Sequence, residues 1–251
     1  MNKNNFILTD FINVTLADLN AVKLLNRQDT KFIFHQADLL QVIEKLKSAY
    51  KLLVINDTHT FNYENTYLDT DDFLFYNQHH NEKRSRFKVR FRKYSATDDC
   101  FFEIKIKNNK NRTIKKRLKV RGRNSYLGES ENYLVSENIG LSPEDLSVKL
   151  NVNFSRITLA DNKLNERLTI DTNLSVKNGI SSKIFDQLVI AEIKQSKYNP
   201  KSEFIQILRE LKIPEVRFSK YCMGMLHVNK NIKYNRFKSK LLQINKILTR
   251  D

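Results

Sequence analysis

The chain has 251 residues, with 44 Lys and Arg against 28 Asp and Glu, for a formal net charge of +16. Its 16 Phe and 10 Tyr can build a core and exclude a disordered basic tail, while 5 Gly and 3 Pro leave little for Gly-rich nucleotide loops or flexible linkers. Excess charge on this scale implies a polyanionic partner: nucleic acid, an anionic membrane surface, or a phosphate-rich small molecule or polymer.

The sequence contains no G-x-x-x-x-G-K-[ST], G-x-G-x-x-G or C-x-x-C pattern. Cys100 and Cys222 are too few for a disulfide framework, so a reducing compartment is expected. The first residues, "MNKNNFILTDFINVTLADLN", carry acids too early for a signal peptide, and no stretch approaches the roughly 18–20 apolar residues of a membrane span. A soluble, cytoplasmic protein is expected.

In chain order, "LADLNAVKLLN" (16–26) has helical spacing through Leu16, Leu19, Val22 and Leu25. "RQDTKFIFHQ" reads as a short strand, and 37–50 as an amphipathic helix. From about 51 to 123 the pattern is β: "YKLLVIND", "FNYENTYLDT", "RFKVRFRKY", "CFFEIKIK" and "RTIKKRLKV", separated by turns and predicting an antiparallel meander. Residues 124–150 are polar and helical in part. Strands resume at "LNVNFSRITLADN", "LNERLTIDTNLSVKN" and "DQLVIAEIKQS". "SEFIQILRELK" (202–212) reads as a helix with Ser202 as N-cap, and 219–249 as mainly helix with a basic exposed face. No repeat or composition shift divides the chain, so one domain over 1–251 is expected.

Lys88, Arg90 and Arg92 share one strand parity with Val89 and Phe91 on the other; Glu103, Lys105 and Lys107 alternate with Ile104 and Ile106 in the same way. A half-buried sheet would turn the charged parity to solvent. Three features argue for the opposite. The charged parity of "KVRFR" and "KKRLK" is all cation, with Arg where bidentate phosphate binding needs it. Like charges opposite each other across strands destabilise a sheet unless an anion lies between them. About eight strands suffice to close a barrel whose inward parity would line a tunnel.

The runs "RQDTKF", "YENTYLDT", "KVRFRKY", "FFEIKIK", "RTIKKR", "FSRITL…NERLTIDTNL", "LVIAEIK" and "RFSKYCMG" occur in one order. In that order they resemble the VTC domain, the polyphosphate polymerase domain of the triphosphate tunnel metalloenzyme (CYTH-like) superfamily. The resemblance covers about 27–224 and leaves a C-terminal basic helix at about 225–249. It implies an α+β fold: a closed antiparallel β-barrel tunnel of about eight strands, with helices packed outside and at the tunnel ends. It implies transfer of the ATP γ-phosphate to a polyphosphate chain with Mn²⁺ or Mg²⁺. The alternatives within the same resemblance are a triphosphate or nucleoside triphosphate hydrolase and a non-catalytic polyphosphate-binding module. The expected partners are therefore ATP, triphosphate or polyphosphate. Nucleic acid is not expected, because a duplex is too wide to enter a tunnel of inward cations.

Carried onto this sequence, the resemblance assigns Lys31, Arg90, Arg92, Lys105, Lys194 and Lys220 to catalysis. Lys115, Arg117, Arg156, Arg167 and Ser219 join them as phosphate ligands. Lys88 and Lys107, on the same cationic parity, are also expected to bind phosphate, the alternative for these two being a solvated place at the tunnel mouths. Glu192 matches the metal-binding glutamate, with an ion pair to a neighbouring lysine as the alternative. Glu103 is a second metal candidate that reads first as an ion-pair partner of its neighbouring lysines. Where the family has the Tyr of Y-x-R, this chain has Phe154, which removes one hydroxyl from the phosphate site. Asp69 reads as a turn or cap residue, and His79 and His80 as packing at a turn. Tyr67, Tyr94 and Tyr221 read as core, and "NKNIKYNRFKSK" as a solvated helix face.

Overall fold

Period-two alternation of apolar and polar side chains folds most of the chain into one sheet. The computed structural model describes residues 8–21, 28–110, 112–122 and 126–250. Its sheet has 11 strands: β1 (Ile12–Val14), β2 (Gln28–His35), β3 (Tyr50–Leu53), β4 (Thr60–Asp69), β5 (Arg86–Tyr94), β6 (Cys100–Lys107), β7 (Thr113–Val120), β8 (Ser147–Asp161), β9 (Glu166–Lys177), β10 (Ser182–Phe185) and β11 (Leu188–Gln195). The main order is β2-β11-β9-β8-β4-β5-β6-β7; β10 pairs with β9, β3 with β8, and β1 runs parallel to β3. The expected meander is present from β4 to β7, whereas β3 leaves it to pair with β8.

The helices are α1 (Leu16–Ala21), α2 (Leu39–Leu46), α3 (Leu74–His80), α4 (Glu129–Ile139), α5 (Glu203–Glu210), α6 (Lys220–Val228) and α7 (Lys238–Leu248). Of the helix expected over 16–26, residues 22–26 lie outside the described residues. α2 buries Leu39, Val42, Ile43 and Leu46, the i, i+3, i+4, i+7 stripe of an amphipathic helix. With α5 it covers the outer side of β2, β11, β9 and β8, packing on Phe32, Phe34, Leu168, Ile170, Val189 and Ile193. The apolar parity of β5 and β6 (Val89, Phe91, Phe102, Ile104) packs outward against Phe75 of α3 and Val135 of α4. The expected sidedness of the cationic strands therefore holds.

α6 packs against the other side of the sheet, where Tyr221, Cys222, Met223 and Met225 meet Leu150, Val152, Phe154, Val176 and Ile190. A Cβ on Gly224 would lie 2.7 Å from Leu150 Cδ2 and 3.0 Å from Val176 Cγ1, so this close approach requires glycine. The stretch expected as mainly helix over 219–249 forms two helices, α6 and α7, with a 3-10 turn at Asn235–Phe237 between them.

Closure of the barrel is not seen: β2 and β7 are the ends of the sheet, and among the described strands no ladder joins them. The sheet nevertheless curls, because Lys105 on β6 lies in the fields of Lys31 on β2 and Glu192 on β11. Both edges carry inward cations, Lys31 on one and Lys115 and Arg117 on the other, and without an anion between them these repel. Two short strands, β1 and β10, and helix α3 were not expected from the sequence. Ser202 does precede α5, but its hydroxyl donates to Glu166 Oε1 (2.8 Å) rather than capping the helix.

Candidate active site

On the β5–β6–β7 half, strand register sets inward residues in rows. Lys88, Lys105 and Lys115 form one row; Arg90, Glu103 and Arg117 form the next. Glu103 is 2% exposed and lies among cations. Arg90 donates to its Oε2 from Nε (2.9 Å) and Nη2 (2.6 Å), Lys115 Nζ is 2.5 Å from Oε1, and Arg117 Nε is 3.6 Å away. Burial alone would raise the Glu103 pKa, but Arg90, Arg92 and Lys115 overcome it and hold the carboxyl at about 2. Glu103, weighed as a metal ligand, is enclosed as a built-in counter-ion. Arg90 is further fixed by Tyr67 OH (3.0 Å), and Arg92 donates to Asn65 Oδ1 (2.8 Å).

The β8–β9–β11–β2 half repeats the device. Arg156 grips Asp171 on the facing strand, Nε to Oδ1 at 2.5 Å and Nη2 to Oδ2 at 2.7 Å. Lys220, at the start of α6, donates to the same carboxylate. Beside them Lys31, Glu192 and Thr169 face one another across β2, β11 and β9. Lys194 Nζ is 3.9 Å from Glu192 Oε1. Burial would raise the Glu192 pKa, yet Lys194, Lys31, Arg156 and Lys220 hold it well below the usual carboxylate range.

α6 links the halves. Ser219 caps it by accepting from Cys222 N–H (3.2 Å), and the same hydroxyl accepts from Lys88 Nζ (3.0 Å) on β5. One residue on, Lys220 reaches Asp171 on β9. Burial pushes Lys88 down to about 7; the Cys222 group opposes this, and the charges of Lys105, Lys31 and Arg90 add to it. Lys105, Lys115 and Lys220 are also lowered, burial again leading. Phe154 stacks on Tyr63 (5.2 Å, 8°), and Lys220 Nζ sits 4.5 Å over its ring. Phe154 thus fills its place by ring contacts alone and carries no hydroxyl.

Lys31, Lys88, Arg90, Arg92, Lys105, Lys115, Arg117, Arg156, Glu192, Lys194, Ser219 and Lys220 thus meet on one inward surface. Two expected residues stand apart from its centre: Arg167 donates to the Leu19 carbonyl (2.6 Å), and Lys107 lies at the end of β6 in the fields of Arg86 and Arg217. Sequence reasoning missed Asp171, Asn65 and the positioning role of Tyr67. Asp171 shares strand parity with Arg167 and Thr169 in "RLTID", a signal that was available.

Asp69 caps α3, accepting from Phe75 N–H (2.8 Å), Tyr76 N–H (2.9 Å) and Tyr221 OH. His80 packs on Tyr76 and Phe237, and Tyr221 stacks on Tyr67 in the core. No group of three or more His, Cys, Asp or Glu able to hold a metal occurs among the described residues. Glu192 suits a cation that takes one carboxylate and completes its shell with phosphate oxygens and water. Among the described residues, no helix is long and apolar enough to cross a membrane.

A family model described as the VTC domain matches residues 26–229. Among solved structures, the chain is similar to a Hippeastrum adenylyl cyclase candidate described as having a dominant triphosphatase activity. That likeness has 12% identity and a TM-score of 0.50, covering 81% of this chain and 97% of that one. It is also similar to an adenylate cyclase candidate from Bacillus halodurans, with 14% identity and a TM-score of 0.50 over 85% of this chain and 99% of that one. At these identities the likeness is one of fold. Comparison with curated proteins finds no match.

Proposed function

The chain belongs to the VTC domain family, and on that premise we propose that it is a polyphosphate polymerase, moving the γ-phosphoryl group of ATP onto a polyphosphate chain. The observation that carries this reading is the convergence of Arg90, Arg92, Arg156, Lys31, Lys88, Lys105 and Lys220 on one inward surface beside Glu192. Phosphoryl transfer asks a protein mainly for charge neutralisation and in-line positioning. In the reaction, a terminal oxygen of polyphosphate bonds to the γ-phosphorus as the bond to the β-bridging oxygen breaks, and ADP leaves.

The arginines suit nonbridging oxygens because their planar forks grip two at once. Glu103 and Asp171 hold Arg90 and Arg156 in place before substrate arrives, so little reorganisation is left for the reaction. Lys31, Lys105, Lys194 and Lys220 add compact charge. Glu192 would hold the Mn²⁺ or Mg²⁺, which when bound neutralises phosphate charge. A cytoplasmic setting, where ATP is plentiful, fits this reading.

The test is incubation with ATP and Mn²⁺, with and without a short polyphosphate primer, following ADP, orthophosphate and polymer length together. Polymer growth with matching ADP is the expected result. Orthophosphate without polymer would replace the proposal with a hydrolase. Triphosphate binding without turnover would replace it with a polyphosphate-binding module.

A further inference from the structure

The inward row of cations continues past Lys88 and Lys105 to a last pair, Arg86 opposite Lys107. Arg217 arrives at the same end of the sheet, two residues before the Ser219 hydroxyl that binds Lys88. A third element joins them. The approach to α7 is anchored on α3, with Phe237 packed on Tyr76 and His80, Tyr76 OH donating to the Lys233 carbonyl (2.5 Å) and Arg236 Nη1 donating to the Asn81 carbonyl (3.3 Å). That anchoring holds Lys240 of α7 5.3 Å from the Phe237 ring centre and within the field of Arg217. The charge of Arg217 acts on Arg86, Lys107 and Lys240 alike.

Deeper in, Glu103 and Asp171 neutralise the cations, but here the acid whose field reaches Arg86 and Lys240 is Glu82, which Arg236 shares at 3.9 Å. Arg86 Nη1 donates to the Lys83 carbonyl (2.8 Å), while its Nε is buried without a hydrogen-bond partner. α7 (Lys238–Leu248) lies beyond residues 26–229, the stretch that the family model matches.

We propose that Arg86, Lys107, Arg217 and Lys240 form an outer station that grips a linear polyphosphate beyond the phosphates held at the centre, with α7 as its outer wall. The inference rests on the polyphosphate reading above and deepens it. Six residues of strand separate Arg86 from Arg92, about 20 Å at the usual strand rise, which a triphosphate cannot span and a longer chain can. The station therefore discriminates by chain length.

The experiment compares wild type with Arg217→Glu/Lys240→Glu for binding of triphosphate and of long-chain polyphosphate at one low salt concentration. The expected result is a fall of about tenfold in the ratio of long-chain to triphosphate affinity, the order expected for lost cation–phosphate contacts. An unchanged ratio, with triphosphate still bound by wild type, would overturn the station and leave the proposed function standing. Failure of wild type to bind either anion would overturn both. On wild type alone, long-chain polyphosphate is expected to protect Lys240 from acetylation where triphosphate does not; equal labelling under both would overturn the station without any variant.

Discussion

Arg156 and Asp171 face each other on adjacent strands and meet through both guanidinium–carboxylate contacts, at 2.5 and 2.7 Å. With Lys220 on the same carboxylate, a buried acid holds two cations of the site before any phosphate arrives. Arg90, Lys115 and Glu103 repeat the arrangement across the interior. The site is thus partly neutralised in advance, and substrate phosphate meets cations already in position.

Removing one member of such a buried group exposes its cost. Asp171→Ala leaves Arg156 and Lys220 enclosed without their counter-ion, and such losses typically cost about 3–5 kcal/mol. Urea unfolding measures it, and saturating triphosphate is expected to restore part of the loss by supplying anionic charge. A variant as stable as wild type would contradict the counter-ion role.

Glu192→Gln separates turnover from anion binding. Turnover is expected to fall on the order of 100-fold or more, as for loss of a major electrostatic contributor. Triphosphate binding without added metal is expected to persist or tighten, because a negative charge has left the neighbourhood of Lys31 and Lys194. Isothermal titration beside an ADP-release assay reads both.

Acid stability follows from the depressed carboxyls. Glu103 and Asp171 sit at about 2 in the folded protein, against ordinary values of 4.5 and 3.8. Their contribution is present above the unfolded values and is lost as pH falls from about 4.5 toward about 2. Thermal melts across that window are expected to drop steeply, and Glu103→Gln is expected to flatten the curve.

Lys88 works in the opposite range. Its folded value of about 7 lies below the ordinary 10.5, so between them the unfolded chain holds a proton that the folded chain has released, and stability rises with pH. A bound polyanion favours the protonated form, so triphosphate binding near pH 8 is expected to take up protons. Calorimetry in buffers of different ionisation enthalpy detects the uptake, and Lys88→Met is expected to diminish it.

An anion that binds the folded chain alone stabilises it by mass action, by about 2.7 kcal/mol at a concentration 100 times Kd. Triphosphate is expected to raise the melting temperature well beyond chloride at equal ionic strength. Equal shifts would refute an anion-binding interior.

Much of the cationic face is legible in the sequence because strand parity is local. Lys88, Arg90 and Arg92 must share a face wherever 86–94 is extended, and Val89 and Phe91 must share the other. α2 is legible for the same reason, its stripe falling within a few turns. α3 was missed because its capping acid, Asp69, belongs to the preceding strand, and Phe73 just before it adopts a left-handed backbone that its residue type does not announce. Ser202 takes the expected N-cap position, but its hydroxyl turns to Glu166, a partner too distant in the chain to be read locally.

The sequence by itself determined the long strands β2, β4–β9 and β11, which parity carries charge, and the family. Tertiary structure decided the rest: that the sheet curls with unjoined edges, that Glu103 and Asp171 serve as internal counter-ions, and that α7 brings Lys240 into the field of Arg217. The physical reason is range. Backbone alternation is set within each residue's own torsions, whereas an ion pair depends on the register and curvature of segments far apart in the chain.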